Sequence, residues 1–108
     1  MQTDPYTRLR GMLGLAMRAG KVTVGTEMVC SLLQKRSRVK LVIYSNEASD
    51  ATKRRIISKC EFYGTAVIEV RIDTGELGRL LGKTYGPACV AVTDENFARE
   101  ILRCVVFK

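Results

Sequence analysis

Leu41-Val42-Ile43-Tyr44, followed by Ser45-Asn46-Glu47-Ala48-Ser49, is the stretch on which the reading of this chain turns. Four consecutive apolar residues, two of them β-branched, are too short for a buried helix and suit a strand covered on both faces. The polar residues behind it end in Ser49, whose hydroxyl can accept from a backbone N–H one turn on and so start a helix. Ile56, Ile57 and Cys60 then recur at helical spacing, and Gly64 supplies the stop after Tyr63. A central strand feeding a helix predicts an α/β chain.

Downstream the same grammar repeats. Ala66 to Val70 reads as a strand. Asp73 with Glu76 three residues later resembles a capping box, ahead of a short helix carrying Leu77, Leu80 and Leu81 and ending at Gly82. Gly86-Pro87 is a turn, and Ala88-Cys89-Val90-Ala91-Val92 a further strand. Thr93 or Asp94 caps a last helix with Phe97, Ala98, Ile101 and Leu102 inward.

Upstream, Asp4-Pro5 reads as a cap and first helical residue. Tyr6, Leu9, Met12, Leu13, Ala16 and Met17 follow at helical spacing up to Gly20. Val22-Thr23-Val24 is a short strand. A second helix runs from Thr26 to about Lys35, with Val29, Leu32 and Leu33 inward, and a basic loop spans Lys35 to Lys40.

Helix, then strand and helix alternating four times, predicts one α/β domain over residues 1–108. The architecture expected is a three-layer α-β-α sandwich with a four-stranded sheet, mostly parallel or mixed. Alternation at this spacing favours crossover connections and a largely parallel sheet, with the short first strand free to pair in either direction.

Composition narrows the chemistry. The 108 residues contain 18 Lys plus Arg against 11 Asp plus Glu, a formal net charge of +7, with 46% apolar residues and no His. Without His there is no His base, no Ser–His or Cys–His dyad and no His metal ligand. Cys30, Cys60, Cys89 and Cys104 are scattered, and no two form the Cys-x-x-Cys pair usual in zinc sites. Buried free thiols are the simpler reading, so neither metal nor cofactor is expected.

Gly82-Lys83-Thr84 invites a phosphate-loop reading, but the required earlier glycine falls on Leu77, and the motif follows a helix instead of a strand. Asp94-Glu95, at a helix start, suit the helix dipole better than acid–base chemistry. A non-enzymatic function is expected. The polar N-terminus and the lack of an 18-residue apolar run predict a soluble cytoplasmic protein with no membrane partner.

The cations form three groups: Arg18 with Lys21, then Lys35, Arg36, Arg38 and Lys40, then Lys53, Arg54, Arg55 and Lys59. Singly each suits a solvated face. With the net +7 they favour a polyanion such as RNA. Gly25, opening the second helix, either lets the chain lie close against a partner or serves as a plain N-cap.

Arg18-Ala19-Gly20-Lys21, Gly25, Lys40-Leu41-Val42-Ile43, Glu47-Ala48-Ser49, Thr52-Lys53, Lys59-Cys60-Glu61 and Glu76-Leu77-Gly78 ending in Gly82-Lys83 form an ordered series. Over roughly residues 7–103 this series resembles the ribosomal L-seven-Ae type proteins, kink-turn RNA binders, and within them the small bacterial YlxQ-like subgroup. The resemblance implies an α-β-α sandwich and an RNA site built from two neighbouring loops. One is the start of the second helix, which carries over to Gly25, Thr26, Glu27, Met28 and Ser31. The other precedes the last strand, residues 83–89, with Lys83, Thr84, Tyr85, Gly86, Pro87 and Ala88.

The family pattern Gly-x-Asn-Glu-x-x-Lys departs here, with Glu27, Met28 and Ser31 at its three polar positions. Arg18, Lys21 and Lys83 then stand in as backbone contacts, and Tyr85 as a stacking residue. The function this implies is recognition of a structured, kink-turn-like RNA, ribosomal RNA included, in a ribosome-associated setting with ribosomal or RNA-processing proteins as further partners. A protein-interaction module on the same fold is the alternative.

Overall fold

Every residue of the stretch 41–45 is buried in the computed structural model, which describes residues 6–35 and 39–106. A continuous apolar strand can satisfy its ladder only between two neighbours, and this one lies inside the sheet. The elements, in chain order, are α1 (Thr7–Arg18), β1 (Val22–Val24), α2 (Thr26–Gln34), β2 (Leu41–Ser45), α3 (Asp50–Tyr63), β3 (Ala66–Val70), α4 (Thr74–Leu80), β4 (Cys89–Val92) and α5 (Glu95–Val106). The Asp4-Pro5 helix start and the cations Arg36 and Arg38 lie outside the described residues.

The sheet order is β1-β4-β2-β3. Among the described residues only β2 and β3 pair in parallel, Leu41 opposite Ala66 through Ser45 opposite Val70. β4 runs antiparallel to both β1 and β2, with Val92 opposite Val22 and Leu41. The sheet is therefore mixed, the second of the two arrangements expected, and not the largely parallel one that the alternation favours. The cause is α4. It is only 7 residues long, and the chain after it doubles back along it, with Lys83 N–H bonded to Gly78 C=O (2.8 Å) and Ala88 C=O to Ser45 N–H (2.9 Å). The chain thus re-enters the sheet at the end where β2 leaves it, which forces β4 to run the other way.

Side chains alternate across the strands and divide the core in two. Leu41, Ile43, Val90 and Val92 face Leu9 and Leu13 of α1, Leu77 of α4, Leu81 and Ile101 of α5. Val42, Tyr44, Cys89 and Ala91 face Val29 and Leu33 of α2 and Ile56 and Cys60 of α3. Helices thus cover both faces, completing the three layers. The helix starts follow the side chains that satisfy their amides. Ser49 Oγ accepts from Thr52 N–H (3.2 Å), Asp73 Oδ1 from Glu76 N–H (2.7 Å) and Asp94 Oδ2 from Phe97 N–H (2.9 Å). Of the two cap candidates for α5, Asp94 acts. Thr93 instead donates its hydroxyl to Lys21 C=O (3.1 Å). No helix among the described residues is long and apolar enough to cross a membrane.

Ser45, at the end of β2, is the one fully buried polar side chain among the described residues. Its hydroxyl donates to Ile72 C=O (2.7 Å) and accepts from Glu47 N–H (3.0 Å), so it ties the exits of β2 and β3 together. Ser45→Ala leaves both backbone groups short of a partner. Urea denaturation should show a loss of about 1–3 kcal/mol, whereas an unchanged midpoint would mean water replaces the hydroxyl.

Candidate nucleic-acid interface

β1, β2 and β3 all point the same way, and the helix starts of α2, α3 and α4 gather beyond their C-terminal ends. Ligands of open α/β sheets commonly bind at such an edge, beyond the C-terminal ends of the strands. Here two chain segments are fastened to each other. Gly25 N–H donates to Cys89 C=O at 3.0 Å, so the first residue before α2 is bonded to the entry of β4. The Cys89 thiol leans on Thr26 Oγ1 at 3.8 Å, a weak contact that fixes the same junction. On the other side, Thr74 N–H donates to Glu47 Oε1 (3.2 Å).

Gly25 sits at φ 102°, ψ 145°, a region close to that reserved for glycine. It provides no side-chain cap to α2, which leaves the first-turn amides of Thr26, Glu27 and Met28 without intrahelical acceptors and facing out. Such amides, with the positive end of the helix dipole, suit an anion such as phosphate. Gly25 is thus the N-cap of α2, and without a side chain it also keeps this junction thin.

The second segment, 82–88, is built on two close approaches. A side chain at Gly78 would put its Cβ 2.1 Å from Tyr85 O, and one at Gly86 would meet Thr74 backbone atoms at 2.9 Å. The segment is thereby pressed onto α4, with Pro87 buried and Ala88 and Lys83 half-buried. Thr84, Gly86 and Tyr85 remain exposed, the Tyr85 side chain at 56%. Met28 is exposed at 59% on the first turn of α2, and Thr26 and Ser31 are half-buried. An exposed tyrosine beside a close-lying backbone suits base stacking.

Glu27 is engaged elsewhere. Arg55 of α3 grips its carboxylate with both terminal nitrogens, at 2.7 and 3.1 Å. That guanidinium holds the Glu27 carboxyl below its ordinary range, and the carboxylate in turn raises Arg55. In the sequence Arg55 is one of several α3 cations, and nothing local marks it as the partner of a residue 28 positions earlier. Lys53 is likewise matched, to Glu69 at 3.1 Å.

Not all the predicted site residues come together. Gly25, Thr26, Glu27, Met28, Lys83, Thr84, Tyr85, Gly86, Pro87 and Ala88 belong to the two fastened segments, with Ser31 one turn down α2. Arg18 and Lys21 do not. Lys21 precedes β1, where its C=O accepts from Thr93 N–H (2.9 Å) at the far end of β4. Four residue steps of extended chain hold it about 13 Å from Gly25, the length of the sheet at that edge.

The thiols offer no chemistry at this site. Cys30, Cys60 and Cys89 are buried and unbridged. Burial pushes the Cys60 and Cys89 thiols up to about 11, so both are protonated at neutral pH. Among the described residues no three Cys, Asp or Glu side chains are placed to hold a metal ion.

The chain shares 36% identity over 91 residues with the RNA-binding protein YlxQ of Bacillus subtilis (strain 168), covering 84% of this chain and 88% of that one. With the RNA-binding protein YlxQ of Enterococcus faecium it shares 31% over 89 residues, 82% of each. Among solved structures, a protein of unknown function from Bacillus halodurans C superposes with a TM-score of 0.81 at 34% identity, covering 88% of this chain and 93% of that one. The 15.5kD RNA binding protein of Giardia lamblia superposes at 0.77 over 94% of this chain and 88% of its own, with 15% identity, so it attests the fold alone. The profile of the ribosomal protein L7Ae/L30e/S12e/Gadd45 family matches residues 7–102, nearly the whole of the described structure, and the chain belongs to that family.

Proposed function

We propose that this protein is a non-catalytic RNA-binding protein that grips a structured, kink-turn-like RNA between the start of α2 and segment 83–88. The observation that carries the reading is the Gly25–Cys89 backbone bond. It sets free helix amides and an exposed Tyr85 along one end of the sheet, a pairing of phosphate acceptor and stacking surface that RNA uses and a small apolar ligand does not. The YlxQ relatives, named as RNA-binding proteins, support the ligand class. Ribosomal RNA is the structured RNA we favour, with ribosomal or RNA-processing proteins as further partners.

A second reading, a protein-interaction module, draws on one observation. Glu27 is paired with Arg55, and Met28, exposed beside it on the first α2 turn, reads no base edge.

A gel shift separates the two. Kink-turn RNA should shift at lower protein concentration than a copy with its sheared G·A pairs replaced. Tyr85→Ala should weaken the former by about 5-fold or more, the scale of one lost base stack. Equal, weak shifts with both RNAs, unmoved by Tyr85→Ala, would remove the RNA reading of this end of the sheet and leave the protein-interaction reading.

A further inference from the structure

The opposite end of the sheet carries cations that the two-segment site does not use. Arg18 ends α1, Lys21 precedes β1, Lys35 follows α2 and Lys40 precedes β2. All four are exposed, and none makes an ion pair within the described residues. Several cations elsewhere differ: Arg10, Lys53, Arg55, Arg99 and Arg103 are each matched to a glutamate.

Backbone bonds fix where this quartet stands. Thr93 N–H bonds to Lys21 C=O and Lys40 N–H to Val92 C=O, so Lys21 and Lys40 flank the end of β4, about 10 Å apart at two strand spacings. One strand further, Leu41 lies opposite Ala66, which brings Lys40 to about 5 Å from Thr65.

The end of α3 closes this edge, and there a second, independent feature appears. Phe62 is 81% exposed, the most exposed large apolar side chain among those described. Its ring meets Tyr63 edge-on at 4.8 Å between centroids, which props the pair at the helix end without burying it. The packing of the core has no use for an aromatic so placed.

Carboxylates on this edge are mostly spoken for. Asp94 caps α5 and Glu95 faces Arg99 at 3.5 Å, which leaves Glu61 beside the aromatic pair.

We propose that this edge, from Arg18 and Lys21 through Lys40 to Phe62, is a second nucleic-acid surface that takes a single-stranded RNA segment, with phosphates on the cations and a base on Phe62. A row of unpaired cations ending in an exposed aromatic is the arrangement that tracks a flexible strand without reading its sequence. It rests on the RNA reading above for its ligand class, but not on the two-segment site. Because the two surfaces lie at opposite ends of the strands, one molecule holds a folded RNA element and an unpaired strand at once.

The test uses the full chain and an oligouridylate of about ten nucleotides. Arg18→Ala/Lys21→Ala/Lys40→Ala, all surface changes, should weaken oligouridylate binding by about tenfold or more at low salt. It should also flatten the slope of log affinity against log salt by about 2, three contacts at the single-strand value. Phe62→Ala should weaken it by about fivefold. The triple variant should still prefer kink-turn RNA over the copy with replaced G·A pairs, and wild-type protein saturated with kink-turn RNA should still take up the oligouridylate.

Wild-type affinity in the triple variant would overturn the proposal. So would a loss produced by Tyr85→Ala instead, or displacement of one RNA by the other. Oligouridylate binding that tracks this edge in a protein indifferent to the G·A pairs would uphold the second surface while removing kink-turn recognition at the first.

Discussion

Gly25→Val should cost about 1–3 kcal/mol of folding stability, the strain of forcing a β-branched residue into a backbone region kept for glycine. The cost is conformational. No atom lies within 4 Å of the position where a Cβ would stand, so nothing clashes. To relieve the strain the backbone must rotate, and the N–H that bonds to Cys89 C=O is the first thing to move. The start of α2 then separates from the entry of β4. Affinity for structured RNA should therefore fall by about tenfold or more, beyond what lower stability alone produces at temperatures where the variant is folded. Gly11→Ala, in the middle of α1 with nothing within 4 Å, is the control. It should raise stability by about 0.5–1 kcal/mol, as removing glycine from a helix interior does. A Gly25→Val protein as stable as wild type would show that this backbone conformation is not needed.

Gly78→Ala should disturb the other segment. The added methyl would stand 2.1 Å from Tyr85 O and 3.1 Å from Tyr85 C, and both are backbone atoms with no side-chain freedom to yield. Either α4 or segment 83–88 must shift, at the roughly 1–3 kcal/mol typical of overpacking. The segment is the weaker of the two. Its ties to α4 are the Lys83–Gly78 backbone bond and the stacking of Gly86 on Thr74, whereas α4 buries Leu77 in the core. Limited proteolysis should accordingly open a new cleavage near Lys83, with trypsin as the probe. The fold of the remaining chain should survive, read as an unchanged far-ultraviolet circular dichroism spectrum. Resistance equal to wild type would mean the segment is held by contacts other than this one.

Much of the fold was legible because each boundary has a local cause. Ser49, Asp73 and Asp94 are short side chains that accept from amides three residues on, and Gly64 takes a left-handed turn at the end of α3. These signals sit within four residues of the boundary they set. The direction of β4 has no such signal. It depends on segment 82–88 folding back along α4, and that depends on a Gly78 whose missing side chain matters only once Tyr85 lies against it.

The site divides in the same way. The resemblance points to Gly25 and residues 83–88, and the Gly25–Cys89 backbone bond joins the two segments in space. Lys21, expected as a backbone contact of the same site, is held by the intervening strand β1 at the opposite end of the sheet from Gly25. In a helix, four residues return to the same face, but in a strand they span about 13 Å. Glu27 occupies one of the departed positions of the family pattern. Its grip on Arg55 crosses from α2 to α3, two helices packed side by side on one face of the sheet, and no local pattern announces such a contact.

The most direct test is amide chemical-shift mapping of the isotope-labelled protein titrated with kink-turn RNA at physiological salt. The shifts expected to move are those of Gly25 to Met28 and Lys83 to Cys89, with Tyr85 among the largest. The outer face of α5, around Glu95 and Arg99, should stay still. Movement confined to α5, or none at the Gly25 and Tyr85 segments while RNA is bound, would contradict RNA recognition at this end of the sheet.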